Sequence, residues 1–214
     1  MKINLSINKA FKWYQKKNIW AKGFLFDSIN TLYKEEKIID YFLDIKTKES
    51  FEKKLKEANG FFCAVIKNES DIFIAVDYTR SQPLFYSETH QWIGDDPKSL
   101  TTTKHIEKDP ISILELSATG YVTGSDTTYK DIKQIQAGEY LVFKDSSIKT
   151  KSYYQYLHTD FIHYNQKNAL DALDKSITNA IKRLITYANE RQLVLPLSGG
   201  FDSRLIALKL KELG

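Results

Sequence analysis

The feature that most constrains this chain lies near its C-terminal end. There the apolar run Leu193-Val-Leu-Pro-Leu leads into Ser198-Gly-Gly-Phe-Asp-Ser, followed by a segment bearing Leu205, Leu208 and Leu213. A short continuous apolar run before a glycine turn predicts a buried strand of the parallel type, and the segment after it predicts a helix. A strand–loop–helix junction gathers unpaired backbone N–H groups and the positive end of a helix dipole at one point, which suits phosphate oxygens. Glycines let the backbone approach such an anion closely. Ser198 and Ser203 can add hydroxyl donors. Asp202 cannot meet a phosphate favourably by itself; its natural part is to hold Mg²⁺, which then bridges to the phosphate. The Gly-Lys-Ser/Thr ending of a Walker A loop and the spacing G-x-G-x-x-G are both absent.

The preceding chain has a different texture. Ile3-to-Ile7, Ile19-to-Lys22 and Phe24-to-Phe26 predict short strands. Residues from about Ser50 to Ala58 predict a helix, with Ser50 as N-cap and Phe51, Leu55 and Ala58 on one face, broken by the turn Asn59-Gly60. Phe61-to-Lys67 and Ile72-to-Asp77 flank a polar turn and predict a hairpin. Pro83-to-Tyr86 and Gln91-to-Gly94 predict a further strand pair, and residues 110–118 a helix closed by Gly120 and Gly124. Ile132-to-Phe143 returns to strand through Ala137-Gly138-Glu139. A polar, tyrosine-rich connector then leads to Asn165, an N-cap, and to a helix with Leu170, Leu173, Ile177, Ile181, Leu184 and Ile185 on one face. The expected organisation is an α+β domain over 1–158 and the beginning of an α/β domain over 159–214. One βα step is too short to bury both faces of a parallel sheet, so the chain reads as the front part of a longer protein.

Composition narrows the class. A hydrophobic fraction of 42% and a charged fraction of 27% are ordinary for a globular protein. No apolar run approaches a membrane span, and the N-terminus lacks the apolar core of a signal peptide. A single cysteine rules out an intrachain disulfide and fits a reducing compartment, so the expected location is cytoplasmic. The net charge of +4 is spread among scattered lysines without a basic, aromatic-interleaved stripe, so no nucleic acid is expected as a partner.

The string Leu197-Ser198-Gly199-Gly200-Phe201-Asp202-Ser203 resembles the PP-loop of ATP-pyrophosphatases, and in particular that of asparagine synthetases and β-lactam synthetases. In that pattern a serine is usual where this chain has Arg204. The resemblance extends upstream through Gly60-Phe-Phe-Cys-Ala-Val-Ile, Ala75-to-Tyr86 and Tyr129-to-Phe143, which are similar to blocks of the family's N-terminal glutamine-amidotransferase domain. It implies an Ntn-hydrolase-like antiparallel sheet sandwich with helices, followed by the start of a PP-loop domain. It implies ATP and Mg²⁺ as ligands, with Leu197, Ser198, Gly199, Gly200, Asp202 and Ser203 at ATP and its pyrophosphate, and Asp202 on the metal. The implied reaction joins a small carboxylate, aspartate being one candidate, to ammonia or an amine, and a homodimer is one assembly compatible with it.

The chain also departs from that family. Its glutamine-hydrolysing members use a cysteine at the mature N-terminus, whose own α-amine is the base. Here Met1 precedes Lys2, the first cysteine is Cys63 within an apolar strand, and Ser6 could serve only after removal of five residues. His90, His105, His158 and His163 show no metal-ligand spacing. The expectation is therefore an amidotransferase-type domain with no catalytic nucleophile. Two other readings stand beside it: a non-catalytic structural platform, and another kind of PP-loop ATP pyrophosphatase.

Overall fold

The computed structural model describes residues 1–159 and 165–214, which form two compact units, Met1–Tyr156 and Leu157–Gly214. The first unit is built on two strands that nothing polar interrupts. Strand β5 (Asn59–Lys67) and strand β6 (Asp71–Val76) pair antiparallel across a short loop at 68–70, forming the expected hairpin. Their side chains alternate between two apolar layers. Phe62, Ala64, Ile66, Phe73 and Ala75 face one core, while Cys63, Val65, Ile72, Ile74 and Val76 face another. A strand buried on both faces reads as continuously apolar, which is why no polar–apolar alternation marks this pair in the sequence.

Around that hairpin a large sheet grows. Strand β3 (Ile19–Phe26) pairs with β5, and β10 (Glu139–Lys144) with β6. The outer strands are β2 (Trp13–Lys16) and β4 (Leu32–Lys34), both on β3, and β11 (Ser147–Ser152), on β10. The first core lies between this sheet and two helices, α1 (Ile38–Tyr41) and α2 (Lys48–Glu57), which contribute Ile38, Ile39, Phe51 and Leu55. The second core lies on the opposite face, against a smaller sheet ordered β1 (Lys2–Asn4), β8 (Trp92–Gly94), β7 (Phe85–Ser87), β9 (Lys133–Gln134). Ile93 joins that core. Its neighbour Trp92 turns the other way, into a third cluster with Leu100 of α3 (Lys98–Thr101), Ile106 and Ile132. The result is the expected sandwich of two sheets with helices, except that β1 runs parallel to β8.

Several elements differ from expectation for local reasons. The two strands expected at 19–22 and 24–26 are one, because Gly23 carries β3 through a φ of +101°. Helix α2 is capped by Thr47, not Ser50: Thr47 Oγ1 accepts from the Ser50 N–H at 3.2 Å, and Ser50 Oγ accepts from the Thr47 N–H at 3.1 Å. Asn59-Gly60 is not a turn. The chain leaves α2 through Ala58 in extended conformation (ψ 127°) and enters β5 directly. A Cβ on Gly60 would lie 2.2 Å from the Phe24 carbonyl oxygen, so glycine here permits close strand approach. The expected helix α4 (Pro110–Thr119) is capped by Asp109 and closed by Gly120 at φ +85°.

In the second unit, α5 (Gln166–Ala188) begins at Asn165, whose side chain accepts from the Asn168 N–H at 3.0 Å, and α6 (Phe201–Leu213) follows the glycine loop. The strand expected at 193–197 does not form. A strand is defined by hydrogen bonds to a neighbour, and among the described residues this segment has none, leaving Val194 80% and Leu197 67% exposed. The expected start of an α/β domain is thus present as two helices and a loop. Leu170 and Leu173 on α5 and Leu205 and Leu208 on α6 are also exposed. Among the described residues no helix is long and apolar enough to cross a membrane.

Candidate functional site

Two regions carry groups that chemistry could use. The first lies between the sheets of the N-terminal unit. Lys22 on β3 is the register partner of Cys63 on β5, and the two are only 4% and 1% exposed. Burial drives the Cys63 thiol well above its ordinary pKa; Lys22 pulls it down, and the carboxylates Asp95 and Asp77 each push it up by less than Lys22 lowers it. A thiol held protonated and shut from solvent is neither nucleophile nor ligand. Lys22 donates from Nζ to the Ile7 carbonyl at 2.7 Å and lies 5.9 Å from the Trp13 ring centroid.

Asp95, just past β8 and 6% exposed, closes this cluster. Its carboxylate accepts from the Ser6 N–H (2.9 Å), the Ile7 N–H (2.7 Å) and the Trp13 indole N–H (2.7 Å), with the Ser6 hydroxyl at 3.4 Å. This capture explains why β1 stops at Asn4 rather than at Ile7: the amides of residues 6 and 7 serve the carboxylate instead of a strand. An aspartate with its acceptor positions filled is a clamp, not a general base. Lys22 inside the apolar stretch Ile19-to-Phe26 is the sequence signal that could have pointed here. Near the end of the β3–β5 pairing the Phe24 ring meets Phe61 in a T-shaped contact at 5.5 Å and Phe11 in a tilted one at 6.0 Å.

Asp77, within the block Ala75-to-Tyr86, is likewise structural. Fully buried, it accepts from the N–H groups of Phe62 (3.0 Å) and Thr79 (2.8 Å) and from the hydroxyls of Thr79 and Ser81. Of the histidines, His105 and His158 are exposed, His90 is half-buried and His163 lies outside the described residues. Among the described residues no group of three or more His, Cys, Asp or Glu side chains is placed to hold a metal ion.

The second region is the loop at 198–203. Ser198 Oγ accepts from the Gly200 N–H at 3.2 Å and lies 3.1 Å from Ser203 Oγ, and Ser203 Oγ donates to the Gly200 carbonyl at 3.4 Å, so the two serines and Gly200 form one small ring of hydrogen bonds. Gly200 is the N-cap of α6 and no side chain caps the helix, which leaves its first-turn amides for water or a ligand. Nothing lies within 4 Å of the space that a Cβ on Gly199 would fill. The Asp202 carboxylate is exposed, with no side-chain partner among the described residues, and Arg204 lies 5.9 Å over the Phe201 ring. Open amides, two hydroxyls and an unclaimed carboxylate fit a polyanion bound with Mg²⁺, the carboxylate serving the ion and the amides the anion. The six residues named from sequence thus lie within the seven-residue stretch 197–203, all exposed except the half-buried Ser203.

No curated protein sequence matches the chain. Among solved structures, it is similar to the allosteric regulatory enzyme of purine biosynthesis (12% identity, TM-score 0.35), covering 68% of this chain and 31% of that one. It is also similar to glutamine phosphoribosylpyrophosphate amidotransferase from B. subtilis (12% identity, TM-score 0.34), covering 67% and 31%. The chain thus spans about a third of the length of either structure. A family profile described as a glutamine amidotransferase domain matches residues 44–154, starting after β4 and so omitting Ser6 and the strand that carries Lys22. That match covers just over half of the 214 residues, and the chain belongs to the glutamine amidotransferase domain family.

Proposed function

We propose that this chain is the front part of an asparagine-synthetase-like, ATP-dependent amide-forming ligase whose amidotransferase-type domain does not hydrolyse glutamine. The observation that carries this reading is a pairing within one chain. A glutamine-amidotransferase-family domain has its one thiol sealed in a core, and a Ser-Gly-Gly-Phe-Asp-Ser loop stands open at a helix N-terminus. In the proposed reaction a substrate carboxylate oxygen attacks the α-phosphorus of ATP. The bond to the bridging oxygen breaks, leaving an acyl-adenylate and pyrophosphate. An amine nitrogen then displaces AMP to form the amide. The amides at the start of α6, with Ser198 and Ser203, hold the pyrophosphate, Asp202 holds Mg²⁺, and Leu197 lies beside the adenosine. The ion, when bound, neutralises the charge that develops on the phosphates. Nitrogen comes from ammonia or from an amine, because neither Cys63 nor the clamped Ser6 supports a glutaminase.

The test uses the natural protein that carries this chain. Pyrophosphate release with ATP, Mg²⁺, aspartate and ammonia, lost in Asp202→Ala and never accompanied by glutamate release from glutamine, is the expected result. Glutamine hydrolysis would sink the claim about the first unit. ATP binding that is absent, or unchanged by Asp202→Ala, would favour a second reading, in which the domain serves as a structural platform. The sealed Cys63 and the saturated Asp95 and Asp77 favour that reading.

A further inference from the structure

Where the loop pattern usually has a second serine, this chain has Arg204, the fourth residue of α6. Long side chains on a helix lie back over the preceding turn, toward its N-terminus. Arg204 does so: its guanidinium carbon lies 5.9 Å over the ring of Phe201, the first residue of the helix. Its charge is thereby held at the end of α6 where the amides are open. Residues two apart on a helix do not face each other, and among the described residues Arg204 forms no ion pair with Asp202 or any other carboxylate.

Between Leu193 and Leu208 the charged side chains are Asp202 and Arg204 alone. Lys209, the next cation, is taken: its Nζ lies 2.6 Å from Asp174 Oδ1 and 2.8 Å from Glu212 Oε2. With a serine at 204 the loop would present a lone carboxylate. With arginine it presents a carboxylate for a metal ion and an uncommitted cation for an anion. Phe201 is 85% exposed, so its ring contributes little to any core. A flat ring is, however, a shelf on which a guanidinium stacks, and at an exposed site that contact is weak enough to yield to a phosphate. The guanidinium fork matches phosphate oxygens with two parallel hydrogen bonds, where a backbone amide supplies one.

We propose that Arg204 binds the terminal phosphates of a nucleoside triphosphate, and the pyrophosphate they become, with Phe201 as the residue that positions it. This rests on the reading of the loop as an ATP site given above. As the bond from the α-phosphorus to the bridging oxygen breaks, its electron pair passes to the pyrophosphate, and Arg204 meets that growing charge.

The experiment measures binding of ATP, inorganic pyrophosphate and AMP, each with Mg²⁺, to the natural protein that carries this chain. Arg204→Ser, with an unchanged unfolding midpoint, should weaken ATP and pyrophosphate at least about tenfold and leave AMP within about twofold. Arg204→Lys, which keeps the charge and loses the fork, should fall between. Phe201→Leu should weaken pyrophosphate about threefold in the unmodified protein and not at all in the Arg204→Ser background, because its effect passes through Arg204. Pyrophosphate binding unchanged in Arg204→Ser, or AMP weakened as much as pyrophosphate, would overturn the assignment. An equal effect of Phe201→Leu in both backgrounds would overturn the positioning role. If Asp202→Ala weakens pyrophosphate while Arg204→Ser does not, this inference fails and the ATP-site reading stands. An unmodified protein that binds neither ATP nor pyrophosphate would sink both.

Discussion

Asp95, buried just past β8, and Asp202, at the glycine loop, are aspartates in opposite circumstances. Asp95 is buried and accepts from two backbone amides and an indole, with a buried lysine in the same cluster. Asp202 is exposed in the first turn of a helix that no side chain caps. The glycines of the two regions differ in the same sense. A Cβ on Gly23 would lie 1.9 Å from the Phe61 carbonyl oxygen, whereas one on Gly199 would meet nothing within 4 Å. The first region has its polar groups and its space consumed by the fold. In the second they are left over, and leftover polar capacity at a helix N-terminus is what a ligand can use.

The comparison breaks most visibly if Asp95 proves dispensable. Asp95→Ala leaves the Ser6 and Ile7 amides and the Trp13 indole without their acceptor in a site that is almost fully buried. Leaving a buried donor unsatisfied costs about 1–3 kcal/mol, so losing the acceptor of three of them is expected to cost about 3–5 kcal/mol. Urea unfolding of the variant should show that loss, and a change below about 1 kcal/mol would mean the clamp contributes no more than a surface contact. Gly23→Ala comes next. The new methyl meets backbone rather than a flexible side chain, at a φ of +101° that alanine resists, so a loss of about 2–4 kcal/mol is expected from overpacking and strain together.

A smaller effect tests how α2 is fastened to the sheet. Glu52 receives hydrogen bonds from Lys151, Lys56 and the Tyr140 hydroxyl, and its carboxyl pKa is lowered to about 2. A folded-state pKa below the unfolded one adds stability that is complete above the unfolded value of 4.5 and is lost as pH falls toward 2. Both lysines are half-exposed, so screening holds the contribution to roughly 1–2 kcal/mol. Glu52→Gln should flatten the loss of stability between pH 4.5 and 2 seen in acid unfolding of the unmodified protein. An unchanged acid limb would place the fastening elsewhere.

What was legible in the sequence follows from how local its cause is. The β5–β6 hairpin, the closure of α4 at Gly120 and the capping of α5 by Asn165 depend on residues close in sequence, and all three formed. The Thr47 cap was missed because Ser50 is also a good cap, and the exchange of hydrogen bonds between them settles which one precedes the helix. Strands β2, β4 and β11 were missed because each is an edge strand whose polar residues hide its period. Of the Lys22–Asp95 cluster the sequence carries one local signal, a lysine inside an apolar stretch, but not its partners, since Ser6 and Asp95 are 89 residues apart. The glycine loop was legible because a phosphate cradle is contiguous in sequence. The strand expected before it needs neighbours that are not among the described residues, so its apolar run alone did not make it a strand.

The smallest effect on stability is the one that separates a ligand loop from an ordinary turn. Gly199 does not adopt a left-handed φ and has no neighbour within 4 Å of where a methyl would go. Gly199→Ala should therefore leave stability unchanged, or raise it by up to about 1 kcal/mol through a less flexible unfolded chain. If the loop only turns the chain, ATP binding by the natural protein is indifferent to that methyl. If it cradles phosphates, the methyl occupies the space the anion needs, and binding should fall at least about tenfold while the unfolding midpoint stays put. A variant that loses both stability and binding would show that Gly199 is already committed to the fold, as Gly23 is, and the contrast between the two regions would fail at that residue.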